Sequence, residues 1–309
     1  MNEFKPEYEI ILFYKYVQIE NPGQLMLHQK QLQQSLGLKG RSIISSEGVN
    51  ITVEGTKENI AKYLEDYFSD PRFAGTHIKR SIGTGKAFPK TSVKVRNEIV
   101  SLGLDKTCDI DPNQLTGIHL KPEELHQWIT EGKEFYIVDM RNAYEHQVGH
   151  FAGSICPPMD NFRDLPKFIE LISHLKDKTV LTVCTGGVRC EKASGYLLSQ
   201  GFKDVYQLDG GIVSYMEKYP NENFLGKLYV FDSRIAIGFY TDDPKHQIVG
   251  KCWVCEKTCE RFTNCVIDDC NRKMIACQEC QDKLGKDFLC PPSIGHKPKT
   301  RISTKQTDG

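Results

Sequence analysis

Val180-Leu-Thr-Val-Cys184-Thr185-Gly186-Gly187-Val188-Arg189-Cys190 sets a thiol at the end of an apolar run, follows it with two glycines and closes with a permanent cation. Residue types in that order can make a reactive thiolate. Val180 to Val183 read as a strand, and Glu191 to Gln200 as a helix, so Cys184 falls between a strand tip and a helix N-terminus. Gly186 and Gly187 allow the positive φ that curls backbone N–H groups into a nest for an anion. The helix end adds partial positive charge and Arg189 a full one. Together they predict a Cys184 pKa below the free value of about 8.5. Cys190, at the far end of the loop, either resolves an oxidised Cys184 as a disulfide or packs as a helix-cap residue.

A second apolar run, Phe135 to Val138, ends in Asp139-Met-Arg141 and is followed by Glu145 and Gly149-His150. These residues, with the loop from Cys184 to Arg189, resemble the rhodanese, or sulfurtransferase-like, domain over about 100 residues, from Ile118 to Tyr219. In that reading Asp139, Arg141 and Glu145 orient the loop through ion pairs, and His150 is structural. The likeness extends further. Phe13-Tyr-Lys-Tyr16, Ser46-Glu-Gly-Val-Asn50, Lys94-Val-Arg96, Cys184 to Lys192 and a cysteine-rich tail occur in the order found in the rhodanese-type tRNA uridine hydroxylases, and the whole chain resembles that family. The resemblance implies oxygen-dependent 5-hydroxylation of the wobble uridine, position 34, of tRNA. It makes tRNA the partner, molecular oxygen the co-substrate and Cys184 the catalytic residue, with an electron donor it does not name.

Chemically, a Cys184 thiolate that attacks the pyrimidine at C6 would make C5 electron-rich enough to react with oxygen. Arg189 and the loop amides would stabilise the developing negative charge. No flavin or nicotinamide motif and no facial-triad iron site is evident. Two rival readings remain open. One is a sulfurtransferase carrying persulfide sulfur on Cys184 to a small thiophile or a tRNA pathway; the other is a non-catalytic RNA-binding protein. One loop type hosts several chemistries, so the rhodanese signature alone does not choose between them.

Eight of the twelve cysteines crowd into the C-terminal part: Cys252, Cys255, Cys259, Cys265, Cys270, Cys277, Cys280 and Cys290. Two Cys-x2-Cys pairs with further cysteines nearby suit closed tetrahedral zinc sites, one or two in number, and eight ligands would fill two. The alternatives are a single zinc with spare thiols, or a disulfide cluster, which a reducing compartment disfavours. A closed four-sulfur site leaves no open coordination position, so this module is expected to be structural or RNA-contacting.

The elements that must hold these residues divide the chain. Residues 1–100 read as β-α-β-β-α-β with one further strand, a ferredoxin-like or acylphosphatase-like α+β domain: a strand at Tyr8–Val17, a helix at Gly23–Leu36, strands at Arg41–Ser45 and Val49–Val53, a helix at Lys57–Phe68 capped by Thr56, and strands near His77–Arg80 and Val93–Arg96. Residues 101–117 are expected to be a linker and 118–223 the rhodanese-like domain, a parallel α/β sheet with helices at Lys121–Thr130 and Asp164–Leu175. A hairpin and the zinc module follow over 224–291. A flexible basic tail, 292–309, carries Lys297, Lys299, Arg301 and Lys305.

With 40 basic and 40 acidic residues in 309, net charge gives no nucleic-acid signal. From His77 to Asn97, however, Lys79, Arg80, Lys86, Lys90, Lys94 and Arg96 occur with no acidic residue, a candidate phosphate-binding stretch or simply a solvated face. Phe13, Tyr14, Tyr16 and Phe88 could stack on bases, though most fit a core. There is no apolar run long enough to span a membrane and no signal-peptide pattern, so a cytoplasmic location is expected.

Overall fold

The computed structural model describes residues 7–105, 110–265, 270 and 273–285. Cys290 and the basic tail lie outside the described residues. The first unit runs β1 (Tyr8–Tyr16), α1 (Pro22–Ser35), β2 (Lys39–Ser45), β3 (Gly48–Thr56), α2 (Lys57–Ser69), β4 (Lys79–Ile82) and β5 (Thr91–Val95). Its sheet has the order β4-β1-β3-β2-β5, antiparallel except where β5 joins β2 in parallel. Thr56 caps α2 as expected, its Oγ1 accepting the Asn59 N–H at 3.3 Å, a contact worth about 1 kcal/mol.

Strand alternation gives this sheet two different faces. Ile11, Phe13, Val49, Ile51 and Val53 point to one side, where they pack with Ile60, Tyr63 and Tyr67 of α2. Leu12, Tyr14, Asn50, Thr52, Arg41 and Ile43 belong to the other face, in register through the pairs Leu12 with Thr52 and Thr52 with Arg41. Among the described residues, no helix of the first unit covers that second face. The rhodanese unit does.

That unit contains β6 (Ile118–Leu120), α3 (Pro122–Thr130), β7 (Tyr136–Asp139), α4 (Ala143–His146), β8 (Gly149–Phe151), β9 (Thr179–Val183), α5 (Val188–Ser199), β10 (Asp204–Leu208) and α6 (Gly211–Lys218). The parallel sheet has the order β6-β10-β9-β7. Val138 and Val180 pack to one side with Ile172 and Leu197; Ile137, Leu181 and Val183 pack to the other with Ile212 and Tyr215. Cys184 therefore leaves the carboxyl end of an interior strand, where α/β sheets place their ligands. The helix expected at Asp164–Leu175 is instead a tighter 3₁₀ run over Phe162–Leu175 with Pro166 inside it. Proline has no N–H for the i−4 bond, and the apolar spacing of Leu165, Ile169 and Ile172 still buries one side. Between the two units, Leu102 and Ile110 are buried in the rhodanese core, so this connection is packed down.

Beyond α6, β11 (Phe224–Gly226) pairs with β8, and β12 (Leu228–Tyr229) with β13 (Ala236–Ile237) forms a small hairpin. A last module holds β14 (Phe262–Asn264), β15 (Lys273–Ile275) and α7 (Gln278–Leu284). Among the described residues, no helix is long and apolar enough to cross a membrane.

Candidate active site and cysteine cluster

The loop after β9 is shaped by its glycines. Gly187 sits at φ 100° and starts α5, three residues earlier than the sequence pattern suggests, so Arg189 and Cys190 lie on its first turn. Its N–H donates to Cys184 Sγ at 3.2 Å. The loop carbonyls are held from the other side: Ile212 N–H donates to Cys184 O at 2.9 Å and Val213 N–H to Thr185 O at 3.1 Å. With the carbonyls engaged by the start of α6, loop amides are left to face the sulfur.

Burial alone would push the Cys184 thiol up, and it is the strongest single influence on that sulfur. A hydrogen bond from the Cys190 thiol, the Arg189 charge and the N–H groups of Cys190 and Arg189 outweigh it, bringing the pKa down to about 6. Cys190 moves the opposite way, raised by burial and by the Cys184 charge beside it. Arg189 is fixed by a bidentate pair with Glu145, at 2.6 Å and 2.9 Å, and also donates to Thr185 Oγ1 at 3.3 Å. Asp139 and Arg141 form a second buried pair, 2.9 Å and 2.6 Å, and Arg141 reaches Gly149 O at 2.7 Å. They brace the corner that carries Glu145. His150 hydrogen-bonds the His146 carbonyl at 2.9 Å.

A cavity of about 420 Å³ opens between the exposed face of the first sheet, the Cys184 loop and the β12–β13 hairpin. Cys184, Thr185, Gly186, Val188 and Arg189 line one wall, and Leu12, Arg41, Asn50 and Thr52 another. Of the six basic residues singled out in sequence, Lys79, Arg80 and Arg96 line this cavity, whereas Lys86, Lys90 and Lys94 are exposed outside it. Lys79 is not a solvated cation: it lies 5.3 Å from the centre of the Tyr14 ring, and burial lowers its pKa to about 8. Arg80 pairs with Glu9 at 2.7 Å. Phe13 is core, Phe88 lines the cavity, and the hydroxyls of Tyr14 and Tyr16 donate to Glu191 Oε1 at 3.0 Å and Val188 O at 3.3 Å.

Sequence reasoning missed Arg41 and Arg234. Arg41 shares the alternation of Ile43 on β2 and could have been found from it. Arg234 had no local signal: Asp232 grips it at 2.7 Å, and it donates across to Ser81 Oγ and Ile82 O, both at 3.2 Å. Also missed was the clamp between the units, where buried Lys192 meets Glu47 at 2.8 Å and Glu98 at 2.9 Å.

In the C-terminal module the cysteines sort themselves. Sγ atoms of Cys252, Cys255, Cys277 and Cys280 all lie within 4.8 Å of one another. Cys255 and Cys277 are 3.8 Å apart, the edge of a tetrahedron with metal–sulfur bonds of about 2.3 Å. The four thiols therefore fit a closed zinc site. Cys259, Cys265 and Cys270 are buried in the same small core but outside that foursome. Of the eight expected ligands, the described residues thus gather four around one position.

Comparison with known proteins follows the same three-part division. Residues 8–99 match a UPF0176 acylphosphatase like domain, 121–218 a rhodanese-like domain and 225–293 a rhodanase C-terminal domain. A tRNA uridine(34) hydroxylase of Bacillus pumilus (strain SAFR-032) is 44% identical over 90% of this chain and 85% of its own. That of Cytophaga hutchinsonii is 42% identical over 98% and 96%. The chain belongs to the tRNA uridine(34) hydroxylase family. A rhodanese-like domain protein of Staphylococcus aureus, 31% identical over 32% of this chain and 90% of its own, superposes with a TM-score of 0.28, too low to speak for the fold. The Cytophaga hutchinsonii relative is thus matched over a span that takes in all three units.

Proposed function

We propose that this protein hydroxylates C5 of the uridine at position 34 of tRNA, with molecular oxygen as co-substrate and the Cys184 thiolate as nucleophile. The observation that carries this is the cavity between the two units. A low-pKa sulfur lies in one wall and arginines in the others, in a space of a size that suits a single nucleoside. Relatives named tRNA uridine(34) hydroxylase over nearly the whole chain support the substrate.

An anticodon base is already single stranded, so turning it into the cavity costs little. Arg41, Arg80 and Arg96 would take the flanking phosphates. The Cys184 thiolate adds to C6 of the uracil, which places electron density on C5 for reaction with oxygen, and leaves again when the ring double bond is restored. The loop amides and Arg189 hold the negative charge as it passes between sulfur and base. Cys252, Cys255, Cys277 and Cys280 hold one structural zinc ion, which supplies folding free energy to the module that backs the hairpin. The location is the cytoplasm, where tRNA is.

The test is mass spectrometry of position 34 in tRNA from cells lacking the protein and complemented with Cys184→Ser. Complementation by the unsubstituted protein should restore the gain of one oxygen and the variant should not. Loss of thiolation instead would identify sulfur transfer, and full hydroxylation by the variant would remove Cys184 from the reaction.

A further inference from the structure

Placing one atom of O₂ on C5 and releasing the other as water takes two electrons and two protons. We propose that Cys184 and Cys190 supply them together as a dithiol that closes to a disulfide in each turnover, and that an external dithiol reductant reopens it. This rests on the hydroxylase reading above and makes Cys190 a second catalytic residue.

Cys190 is placed for it. It belongs to the same buried core as Cys184, and each sulfur bears on the other's ionisation. One residue ties the two together: Gly187 donates its N–H to Cys184 Sγ at 3.2 Å and accepts the Cys190 N–H on its carbonyl at 2.9 Å. Both cysteines are fully buried. Cys184 lines the cavity and Cys190 does not, so an oxidant bound there meets Cys184 first. Cys190 stays protonated beside the Cys184 thiolate, and it becomes the attacking sulfur only after Cys184 has been oxidised and that charge is gone.

The steps balance. Oxygen adds at C5 of the uracil and leaves C5–O–OH once Cys184 has departed from C6. The thiolate then takes the distal oxygen: the O–O bond breaks, an S–O bond forms, and the products are 5-hydroxyuridine and a Cys184 sulfenic acid. Cys190 sulfur attacks Cys184 sulfur, forming S–S and breaking S–O, and the departing hydroxide carries off the Cys190 proton as water. In sum, uridine, O₂ and two thiols give 5-hydroxyuridine, water and one disulfide. The external dithiol is oxidised to its own disulfide in resetting the pair.

The experiment supplies reduced, desalted full-length protein with unmodified tRNA and oxygen but no reductant, then quenches with acid and an alkylating agent. Expected are about one 5-hydroxyuridine per chain, a Cys184–Cys190 disulfide in the peptide map, and renewed turnover on adding dithiothreitol. Cys190→Ser should halt with Cys184 trapped as a sulfenic acid by a cyclic dione, and turn over at least about tenfold more slowly with reductant present. Should hydroxyuridine form while both thiols remain alkylatable, the dithiol proposal is wrong and the hydroxylase reading stands. The dithiol proposal fails in the same way if Cys190→Ser turns over like the unsubstituted protein. Thiol counting on the unsubstituted protein needs no variant to fold. If that protein makes no hydroxyuridine with any reductant, both proposals fall.

Discussion

At Cys184, four smaller influences defeat one large penalty. Full burial opposes a charge on sulfur, yet a neighbouring thiol, a guanidinium and two amides together bring the pKa to about 6. The thiolate is the reactive form, so alkylation of Cys184 by iodoacetamide should rise with pH, reach half its plateau near 6 and stay flat above it. A free cysteine would still be climbing at about 8.5. Peptide mapping of the alkylated thiol across pH 4–10 checks this, and a midpoint above the free value of about 8.5 would mean that the loop does not stabilise the anion. Cys184, its two glycines and Arg189 were all legible in sequence because they lie within six consecutive residues with one local purpose. The counter-ion of Arg189 was less so, since Glu145 lies far back in the chain.

Among elements, the start of α6 decides the shape of the Cys184 loop. Gly211 has φ 72°, and a Cβ there would come within 2.7 Å of Cys184 O and Gly187 N. Both neighbours are backbone, so the loop itself would have to move. Gly211→Ala should therefore cost about 1–3 kcal/mol of stability and also slow alkylation of Cys184, read by chemical denaturation and by the same peptide map. A variant that lost stability but kept the low alkylation midpoint would show that the nest forms without this support. Periodicity anticipated α2 and its cap, β1 and β9 closely. It did not anticipate the 3₁₀ character of 162–175, because apolar spacing of three to four is shared by both helix types.

For the whole molecule, the contact between units is part of the site. Lys192 is buried against Glu47 and Glu98, and Tyr14 and Tyr16 reach across to α5. Removing one partner of such a buried pair costs about 3–5 kcal/mol, so Lys192→Met should lower global stability by about that order. It should also raise the KM for tRNA through a loosened cavity, as steady-state kinetics on the purified protein would read. A stability change near zero would show that solvent replaces the clamp. Stripping metal with a chelator should open the segment around Cys252–Cys280, seen as faster amide hydrogen exchange there, while the parallel sheet keeps its protection. Equal exchange with and without chelator would remove the metal from the account.

The sequence alone determined whatever depends on neighbours along the chain: the nest around Cys184, the alternation of β1, the Thr56 cap and the Cys-x2-Cys turns at Cys252–Cys255 and Cys277–Cys280. These follow from local backbone geometry and side-chain chemistry, which act over a few residues. Only the tertiary structure decided what lies opposite. It showed that the free face of the first sheet forms a wall of the Cys184 cavity, that Arg41 and Arg234 join that cavity while Lys86, Lys90 and Lys94 do not, and that four particular cysteines converge. Those relations join residues far apart in the chain, and apart from the alternation that sets Arg41 on the free face of β2, contacts of that kind leave no trace in spacing or periodicity.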